Sequence, residues 1–480
     1  MPTLELHDIQ HIVLSGLPKR HYAKYLLYEI ADGEAAGAWI QAQLAHVAGA
    51  HRIPNREVSP TDRQHRRFQL AIAFTHTGLK KLGLREEVLQ TFVPEFRQGM
   101  ADAHRARVLG DRPAEWEWGA DDRLDLFCGI YADDDDELAG WPTRADGPDP
   151  ETGLRCITQV HAQRYKDPLI EPFGFRDGIS QPYIEGSGKD PMRFEKRDRV
   201  QPGEFILGYE NELKLLPASP HLPKGPGWDR AILPLSADGA PDLGRNGSFL
   251  VVRHFRQHVE EFQKLDEHIA AQIVGRWRSG RPLVSFPPTV DTHKPRNGAR
   301  HHTPDEPGEP VHDAGNGRGY NDFTFYPHDA AGLRCPLGAH IRRANPRDAL
   351  ANPKEGISEE DAIKLANQHR ILRRGRPYLG KDGVPEGIFF MCLNTNFDRQ
   401  FEFIQQTWIN NPKFSGLTDE VDPLVGSSRF DPYRHPMPFT RQGCPQNVET
   451  SLSKYVSLRG GGYFFLPGLK ALRYIANLSA

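Results

Sequence analysis

Short apolar runs that lead into polar, helix-compatible segments occur twice in each half of this chain. In the first half the runs are FQLAIAF at 68–74 and LDLFCGIY at 124–131. In the second half they are SFLVVR at 248–253, before HFRQHVEEFQKLDEHIAAQIVGRW, and IFFMCL at 388–393, before NTNFDRQFEFIQQTW. Strand-length apolar runs that alternate with helical periodicity predict an α+β fold. We expect two ferredoxin-like halves, each an antiparallel sheet covered by helices, over residues 1–200 and 201–480.

The composition excludes several classes of protein. A formal net charge of −3, with 26% charged residues, has no basic excess that would favour nucleic acid. No stretch approaches the roughly 18 uninterrupted apolar residues of a membrane helix, and the first residues do not read as a secretion signal. We therefore expect a cytoplasmic protein without nucleic-acid or membrane partners. The five cysteines are scattered and include no CxxC, which argues against a disulfide framework or a zinc ribbon.

The segment FGFRDGISQP places one carboxylate between two glycines. Gly174 and Gly178 permit backbone angles that other residues avoid, and they let a flat ligand approach the main chain closely. Asp177, held between them, has the chemistry of a general acid or base. A plain turn is the alternative at this point, because Asp-Gly is among the commonest turn dipeptides.

Two arginine-rich segments follow in the second half. CPLGAHIRRANPRD contains His340, and a neutral imidazole is a good ligand for haem iron, whereas its arginines suit carboxylates. HRILRRGRPYLG crowds four arginines beside Ile371 and Leu372. Taken alone, the first segment also fits a solvated basic turn, and the second fits a helix end with cations near its C-terminus.

Together the three motifs resemble those of the dye-decolorizing peroxidases, in which GxxDG, a histidine in a GAHIRRANPR context and a later LRRGxPY occur in this order. The opening IQHIVLSGL and the closing VSLRGGGYFFLPGLKALRY are also similar to that family. The length and insertions resemble its larger cytoplasmic subgroup. The resemblance implies haem b (iron protoporphyrin IX), bound in the C-terminal half, and hydrogen peroxide as oxidant. It implies dyes, phenolics or other aromatic small molecules as electron donors.

The resemblance also assigns roles to individual residues. It makes Asp177 the distal acid–base group and His340 the proximal iron ligand. Arg373, rather than Arg374, becomes the distal arginine. Arg347, seven residues after the histidine, becomes the partner of a haem propionate. Because the sequence lacks CxxCH, covalent attachment of the haem through that motif is excluded.

The remaining assignments concern the surroundings of the iron. Such a histidine usually donates its other N–H to a carboxylate, and Asp398 is the expected acceptor, with Glu402 next. Ile388 and Phe390 are expected to line the distal side. Where some members of the family carry Asn, this chain has Gly375, so a third polar distal group is in doubt.

Two other functions fit part of the pattern. A haem-handling protein without peroxidase turnover would keep His340 and Arg347 but would not depend on Asp177 or Arg373. A haem-free binding module with the same fold would need none of them.

His254 and His258 stand four apart on a predicted helix, which is a spacing that binds zinc. The residues between them lack the glutamate of a metalloprotease, so we expect no metal site there.

Overall fold

The centre of the molecule is a nine-stranded antiparallel sheet. The computed structural model describes residues 3–17, 20–50, 68–139, 141, 147–163, 170–189, 191, 194–225, 232–287, 318–427, 437–443 and 446–478. The strands of the main sheet are β1 (Tyr22–Ile30), β2 (Phe68–Phe74), β3 (Leu126–Ala132), β4 (Leu154–Gln163), β5 (Ser248–Gln257), β6 (Leu372–Arg373), β7 (Arg376–Leu379), β8 (Pro385–Asn394) and β9 (Val456–Leu466). Two minor pairs are formed by Tyr183–Ile184 with Arg199–Val200 and by Met437–Arg441 with Val448–Leu452.

The main sheet closes into a barrel. The first half of the chain contributes the order β2–β3–β1–β4, and the second half contributes β9–β5–β8–β7. Of the four strands in each order, the first and third along the chain therefore lie in the middle: β1 and β3 in the first half, β5 and β8 in the second. This is the ferredoxin-like arrangement. β5 pairs with both β9 and β8, while β4 meets β7 and β9 meets β2, so the two halves form one ring. The prediction of two antiparallel halves is confirmed. The boundary at residue 200 stays a prediction, because the described residues between β4 and β5 join neither half of the barrel sheet.

Helices pack on the outer face of the strands. The α-helices are His11–Leu14, Gly33–Gln43, His76–Lys81, Glu86–Leu89, Pro94–Gln98, Ala103–Leu109, Asp136–Ala139, Val259–Gln263, Glu267–Val274, Arg318–Asn321, His340–Ala344, Glu359–Asn367 and Leu469–Ala476. π-Helical turns span Asp398–Glu402 and Ile404–Ile409, where the sequence predicts a helix after β8. Short 3₁₀ turns are Leu44–His46, Pro113–Glu115, Lys196–Asp198, Pro202–Glu204, Pro353–Glu355 and Phe414–Gly416. Within the described chain, each helix is too short or too polar to cross a bilayer.

The interior of the barrel is filled by side chains from alternate strand positions. On β1, Tyr25 and Leu27 belong to one buried cluster, whereas Leu26 and Tyr28 belong to another that also contains residues of the covering helices. This division follows from the pleat, which turns successive residues to opposite faces. The Tyr25 ring stacks on Phe389 of β8 with the centroids 4.7 Å apart. Since β4 and β7 lie between these two strands in the ring, this contact crosses the barrel interior.

The helix predicted to begin at residue 254 is wrong at its start. β5 continues to Gln257 because it is hydrogen-bonded to β8 on one side and to β9 on the other along this stretch. The next helix begins at Val259, and a second begins at Glu267, where Asp266 accepts backbone N–H bonds as its N-cap.

His254 and His258 consequently do not share a helix face. His254 lies in the barrel interior, where its Nδ1 is 3.2 Å from Trp118 Nε1, and His258 follows the strand with its Nε2 2.8 Å from Ser457 Oγ. Among the residues that the structure describes, no group of His, Cys, Asp or Glu could hold a metal ion.

Packing inside the barrel predicts the effect of one small substitution. Gly460 of β9 lies against the Trp118 ring, and a Cβ atom there would come within 2.5 Å of Trp118 Cε2. Gly460→Ala should therefore destabilise the fold by about 1–3 kcal/mol, as overpacking typically does. Gly16→Ala is the control, since its nearest neighbour, Arg374 Cδ, is 4.0 Å away. Urea unfolding of both variants measures the difference, and equal midpoints would show that this packing is not tight.

Candidate active site

Asp177 and Arg373 form an ion pair, although 196 residues separate them in sequence. Arg373 Nη1 donates to Asp177 Oδ1 at 3.0 Å, and the Gly178 N–H donates to the same oxygen at 2.6 Å. Gly174 and Gly178 both have positive φ, at 93° and 77°, which explains why glycines bracket this loop. In the described part of the chain both bonds to the carboxylate arrive at Oδ1, which leaves Oδ2 to accept a proton.

The electrostatic surroundings of Asp177 favour its ionised form. Burial acts to raise the pKa of this carboxyl, but the Arg373 cation and the Gly178 N–H outweigh it and lower the pKa below its usual range. The side chains of Asp177 and Arg373 are 26% and 35% exposed, so the pair is reachable by a small molecule.

The position of Arg373 follows from the short strand β6. Arg373 is registered opposite Cys392 of β8, and its backbone N–H donates to Gln181 Oε1 at 3.1 Å. Gln181 comes from the same FGFRDGISQP segment as Asp177, so the loop and the strand are joined twice. The neighbouring Arg374 is directed elsewhere, because its guanidinium binds the carbonyl oxygens of Ile12 and Val13.

His340 lies at the first position of the helix His340–Ala344 and is held by a buried carboxylate. Its Nδ1 is 2.9 Å from Asp422 Oδ2, and the side chain of Asp422 is 0% exposed, whereas that of His340 is 30% exposed. Because a carboxylate only accepts, Nδ1 carries the proton and Nε2 presents its lone pair. Asp422 Oδ1 accepts the N–H groups of Leu424 and Val425, both at 2.9 Å, which keeps the carboxylate ionised and fixed.

The predicted partner of this histidine is therefore wrong. Asp398 is exposed, at the start of a π-helical turn. Glu402 is buried, but it accepts hydrogen bonds from Arg105 at 2.7 Å and from the Tyr463 hydroxyl at 2.8 Å. Asp422 stands 82 residues after His340, in the segment TDEVDPLVG, and no local spacing connects the two.

Arg347 is buried beside a second arginine that the sequence motifs do not single out. Arg347 donates to the carbonyl oxygens of Asn321 and Phe323 at 3.0 and 2.9 Å, and Arg276 donates to that of Tyr320 at 2.7 Å. The guanidinium groups meet at the side-chain oxygen of Asn321. Nothing in the segment GRWRSG distinguishes Arg276 from its neighbour Arg278, so the sequence gives no signal for this role.

These two arginines carry positive charge without an ion-pair partner among the described residues. Burial and the charge of Arg347 lower the pKa of Arg276 to about 9, and burial lowers the pKa of Arg347 to about 10. The more distant Asp198 offsets part of this positive charge, and a ligand with carboxylates would pair with it directly.

Arg342 and Arg343 have a different task, which is to hold the helix that carries His340. Arg342 binds Asp329 Oδ2 at 3.2 Å and the Cys335 carbonyl at 2.9 Å. Arg343 donates to the backbone carbonyls of Trp408 and Glu420 at 2.8 and 3.0 Å. Both side chains are almost completely buried, so neither faces a ligand.

The residues expected on the distal side lie on one face of β8. Ile388 and Phe390 alternate with buried neighbours and share their face with Cys392, the cross-strand partner of Arg373. Their contact with a ligand stays a prediction. At Gly375 a Cβ atom would lie 2.6 Å from the Phe389 carbonyl oxygen, so the backbone of β8 leaves no room for a polar side chain there.

The donor set fits a haem. An imidazole with a free Nε2 and a carboxylate behind it is a strong axial ligand for iron. The buried pair Arg276 and Arg347 suits two propionates, and Asp177 with Arg373 supplies an acid–base group and a cation on the side where a small oxidant would react.

Comparisons with known proteins agree with this geometry. Residues 8–131 match the family model "DyP dimeric alpha+beta barrel domain", and residues 228–430 match "Dyp-type peroxidase, C-terminal". The chain is 27% identical to the dye-decolorizing peroxidase msp1 of Mycetinis scorodonius, covering 99% of this chain and 88% of the relative. It is 28% identical to the multifunctional dye peroxidase DyP2 of an Amycolatopsis species, covering 63% and 60%.

Solved structures show the same architecture. An ancestral D-type dye-decolorizing peroxidase is 25% identical, with a TM-score of 0.72 and full coverage of both chains. The peroxidase of Anabaena sp., at 20% identity and a TM-score of 0.68, shares the fold over 98% of this chain.

The two candidate partners of His340 can be tested against each other. Asp422→Asn should lower haem affinity or peroxide reactivity by roughly 10- to 100-fold, since groups that orient a metal-bound histidine have effects of this size. Asp398→Asn is the matched control and should leave both unchanged, because this side chain is exposed. Titration of haem into the apoproteins, followed by rapid mixing with peroxide, measures both quantities. A larger loss in the Asp398 variant would reverse the assignment.

Proposed function

Because this chain belongs to the dye-decolorizing peroxidase family, we propose that it reduces hydrogen peroxide at a haem held by His340, with Asp177 and Arg373 acting on the peroxide. It is an oxidoreductase of the peroxidase class, and the names of its relatives support dyes and phenolic or other aromatic molecules as electron donors. The observation that carries the proposal is the partly exposed Asp177–Arg373 ion pair, which is held by a loop between two glycines and by the strand β6.

The acid–base step belongs to Asp177. Its Oδ2 accepts the proton of the peroxide oxygen that reacts first and returns that proton to the second oxygen, which leaves as water. The lowered pKa of Asp177 keeps it ionised and ready to accept this proton at mildly acidic pH. When bound, the haem supplies two electrons for cleavage of the O–O bond and recovers them one at a time from the reducing substrate.

Arg373 supplies fixed positive charge beside the reacting bond. Negative charge develops on the departing oxygen before it is protonated, and a cation that is already in place stabilises this charge without reorganisation. The hydrogen bond from the Arg373 backbone to Gln181 and its pairing with β8 keep the guanidinium in position.

The cofactor we propose is haem b, bound without covalent attachment. His340 Nε2 would bind the iron, with Asp422 making the imidazole a stronger electron donor. Arg347 and Arg276 would hold the propionates. Their buried and unpaired charge in the described chain supports this role.

A cytoplasmic location and membership of the larger subgroup remain part of this proposal. Both rest on the amino-acid sequence alone, and fractionation of cells of the native host would test the location.

Variants of the distal pair separate the peroxidase function from the haem-handling alternative. If Asp177 and Arg373 act on peroxide, Asp177→Asn and Arg373→Leu should both retain haem. Each should react with peroxide about a hundredfold or more slowly, because a well-placed acid–base group or charge stabiliser is lost. In Arg373→Leu the pKa of Asp177 should also rise, so the acid limb of the pH profile should move to higher pH. Stopped-flow mixing with peroxide, monitored at the Soret band, tests this.

Arg256→Leu serves as control, because Arg256 is 54% exposed and pairs with Glu386 at the surface. It should react like the unmodified protein. If both distal variants also do so, peroxide activation does not depend on this pair, and the haem-handling function is favoured.

A further inference from the structure

The loop that carries Asp177 is tied together by a carboxylate that no sequence motif singles out. Glu171 Oε1 accepts the Phe175 N–H at 2.8 Å, and its Oε2 accepts the Phe173 N–H at 3.0 Å. The backbone of Glu171 forms two more bonds within the same turn, to the Phe175 carbonyl at 3.0 Å and from the Gly174 N–H at 2.7 Å. The turn therefore closes around the Glu171 side chain, and it ends at Phe175, two residues before Asp177.

The barrel holds this carboxylate in place. Gln257, the last residue of β5, donates from Nε2 to Glu171 Oε2 at 2.7 Å. On the other side of the loop, the guanidinium of Arg278 donates to the Phe173 carbonyl and lies 5.1 Å from the centre of the Phe175 ring. The loop is thus fixed between a strand end and the turn after the helix Glu267–Val274.

Glu171 and Asp177 also interact through their charges. Burial raises the pKa of Glu171 to about 7, and the negative charge of Asp177 adds to this effect against the hydrogen bonds from Gln257, Phe175 and Phe173. The interaction is reciprocal: ionisation of either carboxyl disfavours ionisation of the other by the same free energy.

We propose that Glu171 is a positioning residue for Asp177: through its bonds to Phe173, Phe175 and Gln257 it fixes the turn that aims the Asp177 carboxylate at Arg373. This proposal rests on the peroxidase function proposed above. Above neutral pH both carboxyls are ionised and repel each other, so Asp177 binds its proton more strongly. Below neutral pH Glu171 is protonated, and this repulsion is removed.

Other charged groups surround the pair and must be kept constant in any test. On the loop itself this is Arg176, and from β6 it is Arg373, which pairs with Asp177. From the turn after the helix Glu267–Val274 comes Arg278. From β5 comes the neutral Gln257, followed by His258, whose own pKa burial lowers. None of these is altered by a change at Glu171 alone.

The experiment compares Glu171→Gln with Glu261→Gln in the haem-loaded protein and in the apoprotein. Glu261 is the matched control, because it lies on the helix whose Phe262 stacks on Phe173, yet its side chain is 51% exposed. In Glu171→Gln, peroxide reactivity should fall roughly ten- to a hundredfold, since small displacements of a reacting group cost this much. Haem content should stay normal. In the unmodified protein we expect peroxide reactivity to change near pH 7, where Glu171 titrates, and this inflection should disappear in Glu171→Gln.

Two further measurements separate positioning from a loss of folding. Amide hydrogen exchange in the apoprotein should be faster at residues 173–175 in Glu171→Gln and unchanged in Glu261→Gln. Gln257→Leu keeps the carboxylate but removes a hydrogen bond that lowers its pKa, so it should move the inflection near pH 7 to higher pH.

The outcomes are distinct. If the unmodified protein fails to react with peroxide, the proposed function fails. If it reacts and Glu171→Gln keeps its rate, pH profile and exchange pattern, only the role of Glu171 is overturned. The role of Glu171 is also overturned if Gln257→Leu leaves the inflection near pH 7 at the same pH.

Discussion

The stacking of Tyr25 on Phe389 across the barrel interior connects the two halves of this chain. In the described part of the sheet the halves meet at two strand junctions, one between β4 and β7 and one between β9 and β2, each with one registered residue pair. The aromatic packing inside the ring, together with hydrogen bonds such as those from Arg374 to the Ile12 and Val13 carbonyls, therefore contributes to the relative position of the two sheets. The geometry of the candidate site depends on this position, because Asp177 follows the strands of the first half and Arg373 lies on β6 of the second.

The site combines two hydrogen-bonded carboxylate pairs with different exposure. In the first, the Asp422 carboxylate is buried and the His340 ring is 30% exposed, so Nε2 is accessible to a metal. Asp177 and Arg373 are both partly exposed, which leaves a carboxylate oxygen and a cation accessible to a small oxidant. Other charged residues act on this site. The cations Arg276 and Arg347 favour a ligand with carboxylates, and the carboxyl of Glu171 affects the proton affinity of Asp177.

Much of this arrangement could be predicted from the sequence, and the failures have a common cause. The strand at 68–74 and the motif residues Asp177, His340 and Arg373 carry local signals, either period-two apolar runs or short motifs. Asp422 carries none, because its contact with His340 is made across the fold. The choice of Asp398 placed an exposed residue in a buried role.

The helix predicted from residue 254 failed for a related reason. Its periodicity fits a helix, but pairing with β8 and β9 on both edges favours a strand as far as Gln257, so tertiary contacts override the local pattern. Closure of the ring was equally inaccessible, since the pairing of β5 with β8 is a contact between distant segments.

The most direct test of the account is the absorption spectrum of haem titrated into apoprotein of His340→Ala. The account predicts that the variant binds haem weakly and lacks the spectrum of an imidazole-ligated ferric iron, and that added imidazole restores it. An unchanged Soret band and unchanged affinity in the variant would show that the iron is bound elsewhere, and the site described here would be wrong.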